Sequence, residues 1–116
     1  MVEGSAFVAA PSGGMTLAQM GAEVIRFDQL GGGIDYRRWP LTENGVSLYW
    51  NGLNRGKKSV VADLRAPEIQ ILLSELIATS GNFLTNFPLK GWLSYEKLSE
   101  KRSDLVMVSI MGSHDG

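Results

Sequence analysis

Short apolar segments with the character of β-strands alternate with helix-forming segments along this chain of 116 residues. Five segments are rich in β-branched and aromatic residues, as strands are: residues 2–8, 23–28, 58–64, 83–87 and 105–111. Between the third and the fourth, apolar residues recur at helical spacing, with Pro67 at the start and Gly81 at the stop. Such alternation predicts an α/β fold with a mainly parallel sheet.

The remaining segments fit the same architecture. A tight turn over residues 9–14 and a helix over residues 15–20 are predicted between the first two strands, which makes a βαβ unit. A further ordered piece begins at residues 47–50, and a short surface helix is expected over residues 94–101. The last strand is so apolar that it should need neighbours on both faces. We therefore expect a Rossmann-like sheet with flanking helices that forms an incomplete domain.

Composition excludes several function classes. The net charge of -1 gives no field that would attract nucleic acid or an anionic membrane. The chain has no cysteine and one histidine, so disulfides, thiolate zinc sites and multi-histidine metal sites are not expected. No apolar run has the length of a membrane span, and the start around Glu3 lacks the basic region of a signal peptide. These features predict a cytoplasmic protein without a membrane partner.

Two phosphate-binding motifs fit poorly. The dinucleotide fingerprint needs glycines at the end of the first strand, where Pro11 stands instead, so Asp28 is interpreted as a turn residue rather than a ribose ligand. Residues 52–59 resemble a P-loop, but their spacing is one residue short and a strand follows where a helix is required. An NAD-linked oxidoreductase is therefore disfavoured.

Basic and aromatic residues occur together in the predicted loops. Arg37 and Arg38 lie between two aromatic residues, Arg65 follows the third strand, and the turn over residues 54–58 carries three more basic side chains. Guanidinium groups beside rings suit a ligand that has both phosphates and a flat base. The alternative is that these are ordinary solvated charges.

The fourth strand runs into Asn86, Phe87 and Pro88. Ligands of α/β proteins bind at strand ends, and the Asn86 amide offers a donor and an acceptor to a nucleotide base. In the alternative interpretation, Asn86 only turns the backbone and Phe87 fills the core.

No nucleophile can be paired with a base in this sequence. Ser5 and Ser12 have no histidine partner, and His114 and Asp115 stand in a polar terminal segment. Catalytic residues are therefore expected elsewhere, and a non-catalytic nucleotide-binding module stays open as an alternative.

Several segments resemble class III CoA-transferases, the family of formyl-CoA transferase, carnitine CoA-transferase and methylacyl-CoA racemase. The resemblance covers essentially the whole chain and is strongest in residues 2–11, 17–28, 31–40, 54–65 and 83–88. It is closest to family members that move CoA between the two carboxyls of one unsaturated diacid; CoA transfer between separate acids and acyl-CoA racemisation are the alternatives that the family offers.

The resemblance implies that residues 1–116 are the CoA-binding N-terminal part of a larger enzyme. Carried over by position, the CoA contacts are Arg37 or Arg38, Ala62, Arg65, Asn86, Phe87 and Lys90. Val8 replaces a glutamine found in formyl-CoA transferase, which disfavours an oxalate-type substrate. Residues 88–91 replace the family's Gly-Pro-Gly turn, which directs the expected phosphate contact to Lys90.

The same resemblance implies the chemistry and the partners. The family uses an aspartate that becomes an aspartyl-CoA thioester, and this residue is expected beyond Gly116, so that none of the 116 residues is assigned a catalytic role. No prosthetic group is expected, since coenzyme A enters as part of the substrate. The implied substrates are an acyl-CoA and a dicarboxylic acid, and the full-length protein is expected to be an interlocked homodimer.

Overall fold

The computed structural model describes residues 1–112, so that His114 and Asp115 lie outside the described residues. Five parallel strands form one sheet in the order β3-β2-β1-β4-β5. The strands are β1 (Val2–Gly4), β2 (Ile25–Gln29), β3 (Lys58–Ala62), β4 (Asn82–Thr85) and β5 (Val106–Ser109). The helices are α1 (Ala9–Gln19), α2 (Leu48–Leu53), α3 (Pro67–Ser80) and α4 (Tyr95–Lys101), with a 3₁₀ turn at Gly91–Leu93. The predicted α/β class, the parallel sheet and the flanking helices are confirmed.

Helix α3 begins and ends where its sequence indicates. Pro67 occupies its first turn, and Gly81 ends it in the left-handed conformation with φ of +73°. Ser94 begins α4 by accepting a hydrogen bond from the Lys97 backbone N–H at 3.3 Å.

The predicted turn over residues 9–14 is wrong, because these residues are the first half of α1 and β1 ends at Gly4. Pro11 lies in the first helical turn, where a missing N–H is tolerated. Gly14 is needed for close packing rather than for a turn, because a Cβ there would lie 1.7 Å from Glu3 Oε2, whereas a Cβ at Gly13 would lie 3.4 Å from Leu84, an ordinary contact.

The two faces of the sheet differ in chemistry. On one face, Val2, Phe27 and Phe83 form the apolar core with buried leucines and isoleucines of α3 and α4. The Phe27 ring stacks on Phe83 at 6.2 Å and meets Phe87 edge-on at 6.1 Å. Gly4 leaves room for this ring, since a Cβ there would lie 2.5 Å from Phe27 Cζ. The opposite face, under α1, carries Glu3 and Leu84.

Strand β5 is an edge strand, and Val106 and Val108 remain 57% and 51% exposed. The expectation that both faces of this strand are covered is therefore not met by residues 1–112. Within the same residues, none of the helices has the length and apolarity needed to cross a bilayer.

Candidate functional site

A recess of about 250 Å³ lies at the carboxyl ends of the strands, next to the β1–β4 junction. Chain order reverses at this junction, because β2 and β3 lie on one side of β1 while β4 and β5 lie on the other. Parallel sheets bind ligands at such switch points, where the loops leave in opposite directions. Residues from several loops line the recess, among them Ser5, Ala6, Phe7, Leu64, Asn86 and Phe87.

Phe7 lies in the β1–α1 loop, three residues beyond β1, and has an unusual backbone conformation. Its φ is +62°, in the left-handed region that is costly for a bulky residue. Its N–H donates to Asp35 Oδ2 at 2.9 Å, and its ring lies 5.5 Å from the Arg38 guanidinium carbon. Arg38 also lies over Tyr49, at 5.1 Å. The first strand and the β2–α2 loop (residues 30–47) therefore meet at Phe7.

Asn86 joins the two loops that diverge at the switch point. Its side-chain oxygen accepts from Ala6 N–H at 2.9 Å, and its amide donates to Ala6 C=O at 2.8 Å. The donor and acceptor expected to face a base are thus bonded to Ala6, while Phe87 is half-buried and packs against the core. Both residues line the recess as well.

The other predicted CoA contacts are distributed around this edge. Arg37 lines a second, larger cavity of about 710 Å³ between the β2–α2 loop and α2. Ala62 is the half-buried last residue of β3, and the Arg65 side chain is 94% exposed, one residue beyond Leu64 in the recess wall. Lys90 is exposed just before the 3₁₀ turn. Neither Ala62 nor Lys90 lines either of these two cavities.

Beneath the recess lies a buried ion cluster, a name used here for Glu3, Arg26, Asp28, Asp35 and Lys57. Arg26 is 1% exposed and donates to both Asp28 oxygens at 2.9 and 3.0 Å. Lys57 donates to Glu3 Oε1 at 2.8 Å, and Asp35 Oδ1 lies 3.4 Å from Arg26 Nη2. Asn54 Oδ1 accepts from both cations. Buried charges persist when they are paired and hydrogen-bonded in this way.

The two cations of the cluster respond differently to burial. For Arg26, burial opposes the charge, but the hydrogen bonds and charge of Asp28, helped by Asp35 and Glu3, outweigh it, so that the pKa is raised. For Lys57, burial dominates over the hydrogen bond and charge of Glu3, and the pKa is lowered. The cluster contains acidic groups, yet no group of potential metal ligands is found among residues 1–112.

Two interpretations of the sequence are corrected by this cluster. Asp28 is not a turn residue, because it lies within β2 and is paired with Arg26. Lys57 is not available to bind a phosphate, because its side chain is 2% exposed and bonded to Glu3. The turn that carries Arg55 and Lys57 directly precedes β3, so it stands at the amino ends of the strands, away from the recess.

Phe7, Asp35 and the ionic role of Arg26 were not predicted from the sequence. A signal was present for Arg26 and Asp28, since charges two apart in a strand point to one face. No local signal marks Phe7 or Asp35, because each depends on contacts with residues distant in the chain. The walls of the recess combine the Phe7 and Phe87 rings with the Asn86 amide and the Asp28 carboxylate. Arg38 lies against Phe7, and Arg65 follows Leu64 in the chain, but neither arginine lines the recess.

Comparisons with known proteins agree on one family. The model of CoA-transferase family III matches residues 1–114. The chain is 59% identical to 2-methylfumaryl-CoA isomerase of Chloroflexus aurantiacus, over 100% of this chain and 30% of that protein. It is 37% identical to succinate–glutarate CoA-transferase of Agrobacterium fabrum, over 97% of this chain and 31% of that protein.

The fold agrees with the same assignment. The crystal structure of a CAIB/BAIF family protein from Brucella suis superposes with a TM-score of 0.79 at 34% identity, over 93% of this chain and 31% of that one. This chain therefore spans about a third of the length of the proteins it matches. With its recess at the switch point and a family match over nearly its whole length, the chain belongs to CoA-transferase family III.

Proposed function

We propose that residues 1–116 are the CoA-binding N-terminal part of an enzyme that transfers CoA between the two carboxyls of 2-methylfumaryl-CoA (mesaconyl-CoA). The observation that carries this proposal is the 59% identity to 2-methylfumaryl-CoA isomerase along the whole chain. The strand-end recess supports it, because Asn86, Phe87 and Phe7 line its wall, and Arg38 stacks on Phe7.

The proposed chemistry follows the family's pattern of covalent catalysis. An aspartate beyond Gly116 attacks the thioester carbonyl, which breaks the C–S bond and gives a mixed anhydride and the CoA thiolate. The thiolate attacks the aspartyl carbonyl, which releases the diacid and forms aspartyl-CoA. The second carboxylate of the diacid then attacks aspartyl-CoA, which gives a new mixed anhydride and the CoA thiolate. The thiolate attacks the diacid carbonyl of this anhydride, which forms the thioester at the other carboxyl and releases the free aspartate. The contribution of the present chain is to hold the CoA nucleotide.

Within this proposal the nucleotide meets Arg37 or Arg38, Ala62, Arg65, Asn86, Phe87 and Lys90. Arg65 has the most freedom to reach a phosphate, since its side chain is 94% exposed. Coenzyme A is part of the substrate, no prosthetic group takes part, and the full-length enzyme acts as a cytoplasmic homodimer. Exposed apolar side chains on β5 agree with burial by further protein.

The reaction is tested by incubating the full-length protein that contains this chain with mesaconyl-C1-CoA alone. We expect the C4 thioester to appear, resolved by chromatography and mass spectrometry, since an intramolecular transfer needs no second acid. Conversion that occurs only after a free carboxylic acid is added would contradict the proposal.

An intermolecular CoA-transferase is a second candidate, favoured by the 37% identity to succinate–glutarate CoA-transferase. Adding ¹³C-labelled free mesaconate to the same assay separates the two. If the diacid stays bound during transfer, the C4 thioester remains unlabelled. Label in the thioester indicates exchange with free acid and supports the second candidate.

CoA binding is tested separately by calorimetric titration of the full-length protein. We expect Arg65→Ala to weaken CoA binding about tenfold, as loss of a charge-assisted hydrogen bond does, and to reduce the preference for CoA over dephospho-CoA. Arg55→Ala is the matched control, because this exposed arginine stands at the amino ends of the strands and should leave the affinity unchanged. Equal binding of CoA and dephospho-CoA by the unaltered protein would count against the site.

A further inference from the structure

We propose that Asp35 is a positioning residue for Arg38. The buried Asp35 carboxylate bonds the β1–α1 loop to the β2–α2 loop and thereby fixes the position of Arg38 beside the CoA recess. The inference rests on the proposed function for its ligand. It adds a buried residue that is not among the predicted CoA contacts and that acts through Phe7.

The first step is the geometry of the carboxylate. Asp35 is 1% exposed and divides its two oxygens between two partners. Oδ2 accepts from Phe7 N–H at 2.9 Å, and Oδ1 faces Arg26 Nη2 at 3.4 Å. Arg26 belongs to β2 and is held by Asp28, so one carboxylate connects the β2–α2 loop to the β1–α1 loop and to β2.

The second step leads from Asp35 to Arg38. The Phe7 backbone has φ of +62°, which a bulky residue adopts only where its surroundings hold it. The Asp35 bond is made to the N–H of this residue, and the Phe7 ring lies under the Arg38 guanidinium at 5.5 Å. Arg38 N–H in turn donates to Asp35 C=O at 3.0 Å, which closes the turn. Phe7 and Arg38 are therefore placed by the same residue.

Only a carboxylate at position 35 can accept from both Phe7 N–H and the Arg26 guanidinium. Phe7 N–H and the Arg26 guanidinium are donors, and an ionised carboxylate presents an acceptor to each. An asparagine presents one acceptor and one amide donor, so in either orientation it directs a donor at a donor. Asp35→Asn therefore keeps the shape of the side chain and loses one of the two connections.

The test compares Asp35→Asn with Glu3→Gln in the full-length protein. Glu3 is a buried carboxylate of the same cluster, 0% exposed, that accepts hydrogen bonds from Ser5 and Lys57 and lies 3.9 Å from Arg26 Nη1, but bonds neither Phe7 nor the β2–α2 loop. Hydrogen exchange of the Phe7 amide, the CoA dissociation constant, KM and kcat are measured for each variant.

For Asp35→Asn we expect Phe7 amide exchange to accelerate at least tenfold and both Kd for CoA and KM to rise about tenfold, with kcat within about threefold. Glu3→Gln should leave Kd and Phe7 exchange within about twofold, whatever its cost in stability. A merely structural defect would lower the active fraction, and therefore kcat, without changing Kd of the folded molecules.

The outcomes separate this inference from the proposed function. If the unaltered protein does not bind CoA, both are overturned. If it binds CoA and Asp35→Asn behaves like Glu3→Gln, only the positioning role is overturned. If Asp35→Asn does not fold, Phe7→Leu tests the other link that the inference needs, from Phe7 to Arg38, because it keeps the backbone N–H that bonds Asp35 and removes the ring under Arg38. We then expect Kd to rise about threefold, as loss of one cation–π contact does, and an unchanged Kd overturns the inference.

Discussion

Adding a single methyl group to α1 should have opposite effects at two adjacent positions. Alanine is about 0.8–1.0 kcal/mol more favourable than glycine within a helix, so both Gly13→Ala and Gly14→Ala gain this amount from propensity. At Gly13 the new Cβ lies 3.4 Å from Leu84 Cδ2, an ordinary contact. Gly13→Ala should therefore raise the free energy of unfolding by up to about 1 kcal/mol.

At Gly14 the new Cβ would lie 1.7 Å from Glu3 Oε2 and 2.8 Å from Glu3 Cδ. Glu3 cannot swing away without loss, because it accepts from Ser5 Oγ at 2.5 Å and from Lys57 Nζ at 2.8 Å. If Glu3 stays in place, overpacking costs about 1–3 kcal/mol; if it turns away, the lost hydrogen bond to a charged group costs about 1.5–3 kcal/mol instead. After the helical gain, we expect Gly14→Ala to lower the free energy of unfolding by about 2 kcal/mol.

Urea unfolding of the full-length protein, followed by circular dichroism, measures the difference between the two variants. The expected gap is about 3 kcal/mol, with Gly13→Ala the more stable. A Gly14→Ala variant as stable as Gly13→Ala would refute the packing of α1 on Glu3. The cost of Gly14→Ala should also shrink in a Glu3→Ala background, since the colliding carboxylate is then absent.

Two further predictions concern charges and amides. Asn86→Asp should lower the free energy of unfolding in urea by about 1–3 kcal/mol, because the carboxylate can accept from Ala6 N–H but leaves Ala6 C=O without its donor. The control Asn51→Asp removes one amide hydrogen bond to Ser47 C=O on an exposed residue and should lower it less. Equal losses would contradict the bridging role of Asn86. The hydrogen bond and charge of Lys58 hold the pKa of exposed Glu23 below its ordinary value of 4.5. The stability that the Glu23–Lys58 pair contributes is therefore present above pH 4.5 and lost as pH falls through the lowered pKa. The small difference in stability between wild type and Glu23→Gln should vanish in acid and shrink in high salt. A difference that does not depend on pH would show that the pair contributes nothing.

The success of sequence reasoning followed the range of the interactions involved. Helix α3 was predictable because its apolar stripe, Pro67 and Gly81 are all local signals. The start of α1 was not, since Gly13 and Gly14 are typical turn residues until Glu3 and Leu84 are seen against them. Arg38 and Asn86 were predicted from the sequence as polar residues at the strand ends. The residues that they contact, Phe7 and Ala6, were not predicted.

The sequence by itself determined the α/β class, the order of strands and helices, and the family, because periodicity, helix stops and contiguous motifs are written along the chain. The tertiary structure alone decided how the ends of β1, β2 and β4 meet. Asp35 bonds Phe7 across 28 residues and Asn86 bonds Ala6 across 80. Such contacts depend on which strands become neighbours, and a carboxylate or an amide in a loop has the same local appearance whether it faces solvent, a ligand or another segment of backbone.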